Sequence, residues 1–456
     1  MGVRAFSLML MIAAALVGCA LVAGFPVEFG LFAVAAASVL ILTAKCPEVA
    51  FALFLTAGEY KGDPRFQIPH IDLTVLFGIF TALGILWAVM QKRVRPAPPP
   101  FSMYFPFLII SCLSALSLMY TVAPVYGLEK TIRFTTLTTL AFFAPLYLFQ
   151  ARGKFKNFLI TFIVVALGML FDMFSKVGLG TREGDAVSAF GSDYLPVGSI
   201  MAAAFIIILL YFFLSDRSPA RRALYILVFC PLILYGLMVS GARGPLISLV
   251  LTLAVIPVVS RRSDTESRRL RVWVLLVLIL GGAYFSYTYQ EFERMTRRMA
   301  LFTEGGGASA LERINMVKVA LEAMSTMPYS LTGLGIGGFS VYYGAFDSVR
   351  GVYPHNILLE LGSEIGVAGL LAGAFLIAWS LKRGYHVIKG SAGRNYYTAV
   401  SAFSVLLCSL IEALKSGDLN DNRLFFAMAG FLYSLDAGLE GREGKQGQSL
   451  HTDIVA

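Results

Sequence analysis

The sequence predicts an all-α membrane protein: a polytopic membrane helix bundle of about 12–14 transmembrane helices with one large, partly helical periplasmic loop. Of the 456 residues, 57% are hydrophobic and 14% are charged, and the mean hydropathy is +0.74. A soluble domain of this length could not bury that much apolar surface. Apolar runs of about 20 residues also recur from end to end, separated by polar or Pro/Gly-rich stretches.

Fourteen segments qualify as candidate spans. They are 5–24, 27–44, 48–58, 71–90, 101–120, 131–149, 157–175, 196–214, 222–239, 245–260, 272–289, 356–381, 395–414 and 422–437. The third is too short to cross an untilted bilayer and is interpreted either as a crossing or as a half-length helix. The spans divide the chain into an N-terminal bundle (1–289), a periplasmic loop (290–355), C-terminal transmembrane helices (356–437) and a cytoplasmic tail (438–456).

Basic residues are concentrated in every second loop, and this alternation orients the chain. Arg221-Arg222 and Arg268-Arg269 belong to loops predicted to be cytoplasmic, and both termini lie on that side. The loop 290–355 holds six basic and six acidic residues, so it is predicted to face the periplasm. The alternation favours a real crossing by 48–58. The same distribution explains the net charge of +9 without nucleic acid and predicts a bacterial inner-membrane location.

Three polar stretches on the predicted outer side are candidates for chemistry. In the first, Ser240-Gly241-Ala242-Arg243-Gly244-Pro245, two apolar spans are joined with almost no loop, so Arg243 is held at membrane depth. Pro245 suits the first turn of the next helix, whose N-terminus carries a positive partial charge. Because guanidinium binds phosphate oxygens bidentately, Arg243 suits an anion. An arginine reaching the lipid headgroups is the alternative.

The second stretch, from Ser309 to Phe339, is predicted to form one amphipathic helix followed by a glycine-rich turn. The glycines of 333–338 lack the preceding strand of a dinucleotide-binding unit, which favours a conformationally permissive loop over the site. Arg313 lies on the predicted helix. It is a candidate for substrate binding, and pairing with a nearby glutamate is the alternative.

The third stretch, Tyr353-Pro354-His355-Asn356, immediately precedes a long apolar helix. Asn356 is a plausible helix cap. His355 is the candidate general base, because it is the histidine predicted to lie outside the cell at the end of a strongly predicted helix. A structural histidine beside proline is the alternative. Together the three stretches describe a site that could bind a diphosphate and remove a proton from a hydroxyl.

These residues resemble the superfamily of O-antigen ligases and O-antigen polymerases, membrane transferases that use polyprenyl-diphosphate-linked glycans. The resemblance covers roughly 240–437 and rests on Ser-Gly-Ala-Arg-Gly, on the loop arginine before the Gly-x-Gly-x-Gly-Phe run, on Pro-His-Asn, and on Ser416-Gly417-Asp418 with Asp421-Asn422-Arg423. It implies that Arg243 and Arg313 bind the donor diphosphate and that His355 activates the acceptor hydroxyl. It also implies an inverting transfer that needs no metal and no cofactor.

Further outer-face residues are secondary candidates. Lys130 and Arg133 are predicted to contact the diphosphate, and Asn356 is predicted to contact substrate as well as cap its helix. Glu59, Lys61 and Arg65 lie in an outer loop where they could contact sugar, and facing water is the favoured interpretation.

Two function classes remain open. A lipid-linked glycan flippase or secondary transporter would also have many spans and basic inner loops, but would favour paired repeats and ionisable residues near the bilayer midplane. The spans are sparsely charged, with Glu412 and Asp172 near span ends as the exceptions. For an enzyme, the acceptor could be a growing glycan, a lipid A core or a protein, in each case beside membrane lipids.

Overall fold

The computed structural model describes residues 45–67, 71–92, 94, 101–150, 152–177, 187–216, 218–261, 263–287, 308–344 and 352–435. Within this part of the chain the secondary structure is helical, without β-strands, so the all-α polytopic fold class is confirmed. Six of its helices are long and apolar enough to cross a membrane, and three shorter apolar helices accompany them. The predicted spans 5–24 and 27–44 and the tail 438–456 lie outside the described residues.

Fifteen helices are described, and each span predicted from residue 48 onward overlaps one of them. In chain order they are α1 (Pro47–Thr56), α2 (Leu73–Met90), α3 (Phe101–Ser117), α4 (124–148), α5 (Arg152–Val177), α6 (Tyr194–Phe213), α7 (Pro219–Val239), α8 (Arg243–Val259), α9 (Thr265–Tyr287), α10 (Ala308–Ser325), α11 (Tyr329–Thr332), α12 (Phe339–Tyr342), α13 (Ile357–Gly390), α14 (Arg394–Ala413) and α15 (Arg423–Leu435). The predicted helix within the 290–355 loop is confirmed as α10.

Burial divides the helices into a centre and a periphery. In the apolar windows of α6 and α14, 83% and 78% of the residues are buried, so both helices lie inside the bundle. In α2 and α7 the corresponding shares are 33% and 22%, and side chains such as Leu83, Leu86 and Leu227 are exposed. Apolar surface of this kind is what a helix in contact with lipid requires, since its backbone polar groups are already paired.

The loops gather at two ends of the bundle. At the end we call the site end, Thr121 Oγ1 donates to the Ile336 carbonyl at 2.9 Å and Asn420 Nδ2 donates to the Lys130 carbonyl at 3.1 Å. At the other, the basic end, Tyr396 OH donates to the Ser260 carbonyl at 3.2 Å. This grouping of loops is the one that the alternation of basic residues predicts.

α1 is short but passes through the buried middle of the bundle. Near its start, Glu48 accepts a 2.9 Å hydrogen bond from Asn157 at the basic end. Just beyond its end, Glu59 accepts a 2.7 Å hydrogen bond from Ser192 at the site end. Phe51 and Phe54 of α1 are fully buried. Ten residues of α-helix extend only about 15 Å, which is shorter than the hydrocarbon layer of a bilayer. Because its side chains are buried, α1 is surrounded by other helices.

α13 is interrupted near its beginning. Gly366 has φ 76° and ψ −167°, which separates a half-helix of residues 357–365 from the rest. The interruption frees a backbone carbonyl, and Leu334 N donates to the Ser363 carbonyl at 2.8 Å. A Cβ atom added at Gly366 would overlap the Leu331 carbonyl oxygen. The segment 331–338 is therefore packed into the break, and glycine is required there because the two backbones touch.

Candidate functional site

Arg243 lies at the N-terminus of α8, in a turn that is packed deep between helices. Ala242 is the N-cap residue and is buried, and Gly241 has φ 68°. A Cβ atom at Gly198 of α6 would overlap the Ala242 side chain, so a glycine there lets the turn approach α6. Pro245 occupies the first turn of α8, as predicted. The local sequence thus fixes Arg243 beside a helix end that has free N–H groups and a positive partial charge.

His355 and Asn356 form the entry to α13. His355 has φ 54°, a left-handed conformation that costs free energy in a non-glycine residue and is concentrated at functional sites. Its ring lies 4.5 Å from the Tyr353 ring, centroid to centroid. Asn356 is the N-cap, and its Oδ1 accepts from Leu358 N at 2.9 Å and from Leu359 N at 3.1 Å. The predicted cap is confirmed, whereas a contact between Asn356 and substrate stays a prediction.

The end of α14 connects these two sites. Asn356 Nδ2 donates to the Leu414 carbonyl at 2.9 Å. The next residue, Lys415, reaches α8, because a Cβ atom added at Gly244 would lie 2.7 Å from Lys415 Nζ. Gly244 and Asn356 therefore lie beside neighbouring residues of a single turn, although they are more than a hundred positions apart in sequence.

Arg313 belongs to α10, which packs beside the entry of α13. Met316 and Ala320, which follow Arg313 on α10, are buried in a small hydrophobic cluster. Leu359 of α13 packs against this cluster. Burial, and after it the positive charge of Arg313, lowers the pKa of His355 to about 4. The imidazole is therefore neutral near pH 7. Arg313 and His355 lie within electrostatic range of each other, and the binding and catalytic roles of both stay predictions.

Lys130 occupies a different environment from the predicted one. Its side chain is 1% exposed, and its Nζ lies 2.5 Å from Glu360 Oε1 and 2.6 Å from Glu364 Oε2. Both glutamates are on the half-helix 357–365 and are equally buried. An ammonium enclosed by two carboxylates is not available to a diphosphate. We therefore correct the expectation for Lys130: it ties α4 to the half-helix that His355 and Asn356 precede.

Arg133 is more accessible than Lys130. Its Nη2 lies 2.7 Å from Glu129 Oε1 one turn back on α4, and its side chain is 34% exposed. Its predicted contact with the diphosphate stays a prediction. Arg65 faces water as expected, with 58% of its side chain exposed, and it also bridges Asp63 and Asp172 at 2.6 Å each. Glu59 is mostly buried rather than facing water, and this burial raises its pKa to about 7.

The glycine-rich segment, expected to be a conformationally permissive loop over the site, is packed closely between helices. Ile336 is buried, its N–H donates to Ser117 Oγ at 2.9 Å, and Phe339 is fully buried. A Cβ atom at Gly335 would lie 2.6 Å from the Thr121 Cα atom. The glycines allow close packing of the segment against α3, α4 and the break in α13.

Sequence reasoning missed Lys415 and the pair Glu360 and Glu364. A signal for the pair was present, since residues four apart lie on one face of a helix and charges inside an apolar span are expected to be functional or paired. Lys415 had no comparable signal, because its neighbours in space come from other helices. Among the described side chains, no group of three or more His, Cys, Asp or Glu could hold a metal ion.

Comparison with known proteins gives one family match. Residues 228–374 match the model of the family described as O-Antigen ligase. The matched segment is about a third of the chain and includes Arg243, Arg313, His355 and Asn356. It ends before Lys415 and excludes Lys130. No curated protein gives a significant match to the chain.

Proposed function

We propose that this polytopic membrane protein, of which residues 228–374 match the O-antigen ligase family, is a glycan transferase of that superfamily. It transfers a glycan from a polyprenyl diphosphate carrier to an acceptor hydroxyl at the periplasmic face of the bacterial inner membrane. The acceptor is a growing glycan, a lipid A core or a protein hydroxyl. Transfer forms a bond between the acceptor oxygen and the anomeric carbon and breaks the bond from that carbon to the phosphate oxygen. The released electron pair stays on the lipid diphosphate, and the hydroxyl proton goes to the protein.

The observation that supports this proposal most strongly is that the candidate residues lie on elements that adjoin the entry of α13. Asn356, next to His355, bonds to the Leu414 carbonyl, and Lys415 Nζ lies beside Gly244, next to Arg243. Arg313 is close enough to contribute to lowering the pKa of His355 to about 4. A neutral imidazole has a nitrogen lone pair that can accept the proton. Two guanidinium groups and the N-terminus of α8 suit the charge that develops on the leaving diphosphate.

The position of the charges also favours transfer over transport. Glu360 and Glu364 lie about 5 and 11 Å along α13 from its first residue, close to the His355 end rather than at the middle of a span. Both are engaged by Lys130. A transporter of the predicted kind would instead favour ionisable groups around a pathway at the bilayer midplane.

The test is glycan transfer by purified protein in nanodiscs, with polyprenyl-diphosphate-linked glycan as donor. Arg243→Gln and His355→Gln should each reduce the rate by about 100- to 1000-fold, because each removes a group that acts on charge or proton in the transition state. The matched controls His386→Gln, in the second part of α13, and Arg268→Gln, at the basic end, should transfer at the normal rate.

Near-normal transfer by either site variant would refute the assignment of that residue. Movement of the lipid-linked glycan across a vesicle bilayer, with its covalent structure unchanged, would support a flippase instead. Deletion of the gene identifies the acceptor, because the glycan that loses its polymer length or its attachment is the one that this protein acts on.

A further inference from the structure

Lys415 lies between the two predicted parts of the site. On one side, its Nζ occupies the space that a side chain at residue 244 would take, 2.7 Å from the position of a Cβ atom there. On the other side, the preceding residue, Leu414, accepts the hydrogen bond from Asn356. The ammonium is therefore next to the backbone of Arg243-Gly244 and one residue from the contact that holds the His355-Asn356 entry.

Among the described side chains, the carboxylate that holds the ammonium is that of Glu412, which is itself anchored. Lys415 Nζ lies 2.7 Å from Glu412 Oε1, and Glu412 Oε1 also accepts from Ser248 Oγ of α8 at 2.5 Å. Ser199 Oγ of α6 donates to Glu412 Oε2 at 3.4 Å. Three helices thus fix the carboxylate. Lys415 is 30% exposed and an ammonium has three N–H donors, so it can contact an additional acceptor without leaving Glu412.

The N-terminus of α8 suits an anion next to the ammonium. The helix dipole is positive there, and its free N–H groups are suited to phosphate oxygens. Lys415 Nζ lies beside Gly244 in the first turn of this helix. A phosphate at this corner can therefore accept hydrogen bonds from the helix end and from the ammonium together.

We propose that Lys415 is a third phosphate-binding cation of the donor site, acting with Arg243 and Arg313 on the lipid diphosphate. This inference rests on the proposed function. The diphosphate gains negative charge when the bond to the anomeric carbon breaks, and a third cation stabilises the leaving group more than it stabilises the intact donor. The electron pair of the broken bond then remains on an oxygen that the ammonium can contact. Glu412 pairs with the ammonium before the donor binds and does not touch the substrate.

The experiment measures binding of polyprenyl diphosphate, the leaving lipid, to purified protein in nanodiscs. Lys415→Gln should weaken binding by about 10- to 100-fold, the effect expected for loss of a charge-assisted hydrogen bond. Lys415→Arg should retain most of the affinity. Lys61→Gln is the matched control, since Lys61 is also a partly exposed lysine at the site end, 2.8 Å from the carboxylate of Asp72, and it should bind as the wild type does.

Variants of Glu412 separate phosphate contact from a purely structural ion pair. Glu412→Gln removes the competing carboxylate, so binding should be unchanged or tighter. The double variant Lys415→Gln/Glu412→Gln contains no unpaired charge at this corner and should fold while still binding weakly. Melting temperature and monodispersity report folding for each protein. If Glu412→Gln weakens binding as much as Lys415→Gln does, or if Lys415→Gln binds normally, the inference is overturned.

Failure of this inference can be distinguished from failure of the proposed function. If the wild type does not bind polyprenyl diphosphate, or if Arg243→Gln leaves binding unchanged, the proposed function is wrong. If Arg243→Gln weakens binding and Lys415→Gln does not, only the role of Lys415 is wrong.

Discussion

Replacing Lys130 by methionine tests what holds the half-helix 357–365 in place. The substitution keeps most of the side-chain volume but removes the ammonium that lies 2.5 Å from Glu360 and 2.6 Å from Glu364. Two carboxylates that are each 1% exposed would then be buried without a cation. Breaking a buried ion pair in this way costs about 3–5 kcal/mol. Since typical folded proteins are stable by about 5–15 kcal/mol, the loss should be large.

The assay is the unfolding of purified protein in nanodiscs by heat or denaturant, followed by the tryptophan signal. Lys130→Met should lower the free energy of unfolding by about 3–5 kcal/mol, whereas Lys61→Met should lower it by at most about 1 kcal/mol. The comparison is matched, because Lys61 Nζ contacts Asp72 at 2.8 Å with its side chain 29% exposed. The two ion pairs are similar in length and differ in burial.

A rescue variant identifies the cause of the destabilisation. Changing Glu360 and Glu364 to glutamine in the Lys130→Met background removes both uncompensated charges, so most of the stability should return. If Lys130→Met unfolds at the same temperature as the wild type, the buried cluster does not hold the half-helix. If the triple variant is no more stable than the single variant, lost packing rather than buried charge explains the effect.

Three further predictions concern the entry of α13. Because burial and Arg313 lower the pKa of His355 to about 4, the acid limb of kcat/KM should lie near pH 4 and move upward in Arg313→Gln; a limb near pH 6.5 would contradict this. Gly366→Ala should destabilise by at least about 1–3 kcal/mol, because its Cβ atom would overlap the Leu331 carbonyl; an unchanged melting temperature would contradict the interrupted geometry. Asn356→Ala should destabilise by about 0.5–2 kcal/mol, whereas Asn356→Asp should keep the cap and lose only the bond to the Leu414 carbonyl; equal stability of the two variants would exclude a capping role.

The helices and their grouping could be predicted from sequence because the signals are local. An apolar run of about 20 residues needs no information from elsewhere in the chain, and basic loops orient successive spans one after another. The cap at Asn356 and the turn at Arg243 are equally local, since each depends on residues next to a helix end. These signals predict the fold class and the candidate residues at the starts of α8 and α13.

What could not be predicted depends on distant pairings. The interruption at Gly366 looks like one glycine in a long apolar run until the 331–338 segment is seen to pack against it. Lys130 and Glu364 are 234 positions apart, and nothing near either residue indicates the other. For the same reason, local sequence patterns predict a conformationally permissive loop for the glycine-rich segment. Its packing partners lie in α3, α4 and α13, which no local pattern connects.

Distance alone does not separate the structural from the functional charges of this protein. Lys130 and Lys415 contact glutamates at nearly the same distance, 2.6 and 2.7 Å. Lys130 is 1% exposed and is enclosed by two carboxylates, so its charge is already compensated within the protein. Lys415 is 30% exposed, contacts one carboxylate among the described side chains, and lies beside the positive end of α8. Burial therefore assigns the first lysine to the fold, and exposure beside a positive helix end fits the proposed contact of the second with an anionic substrate.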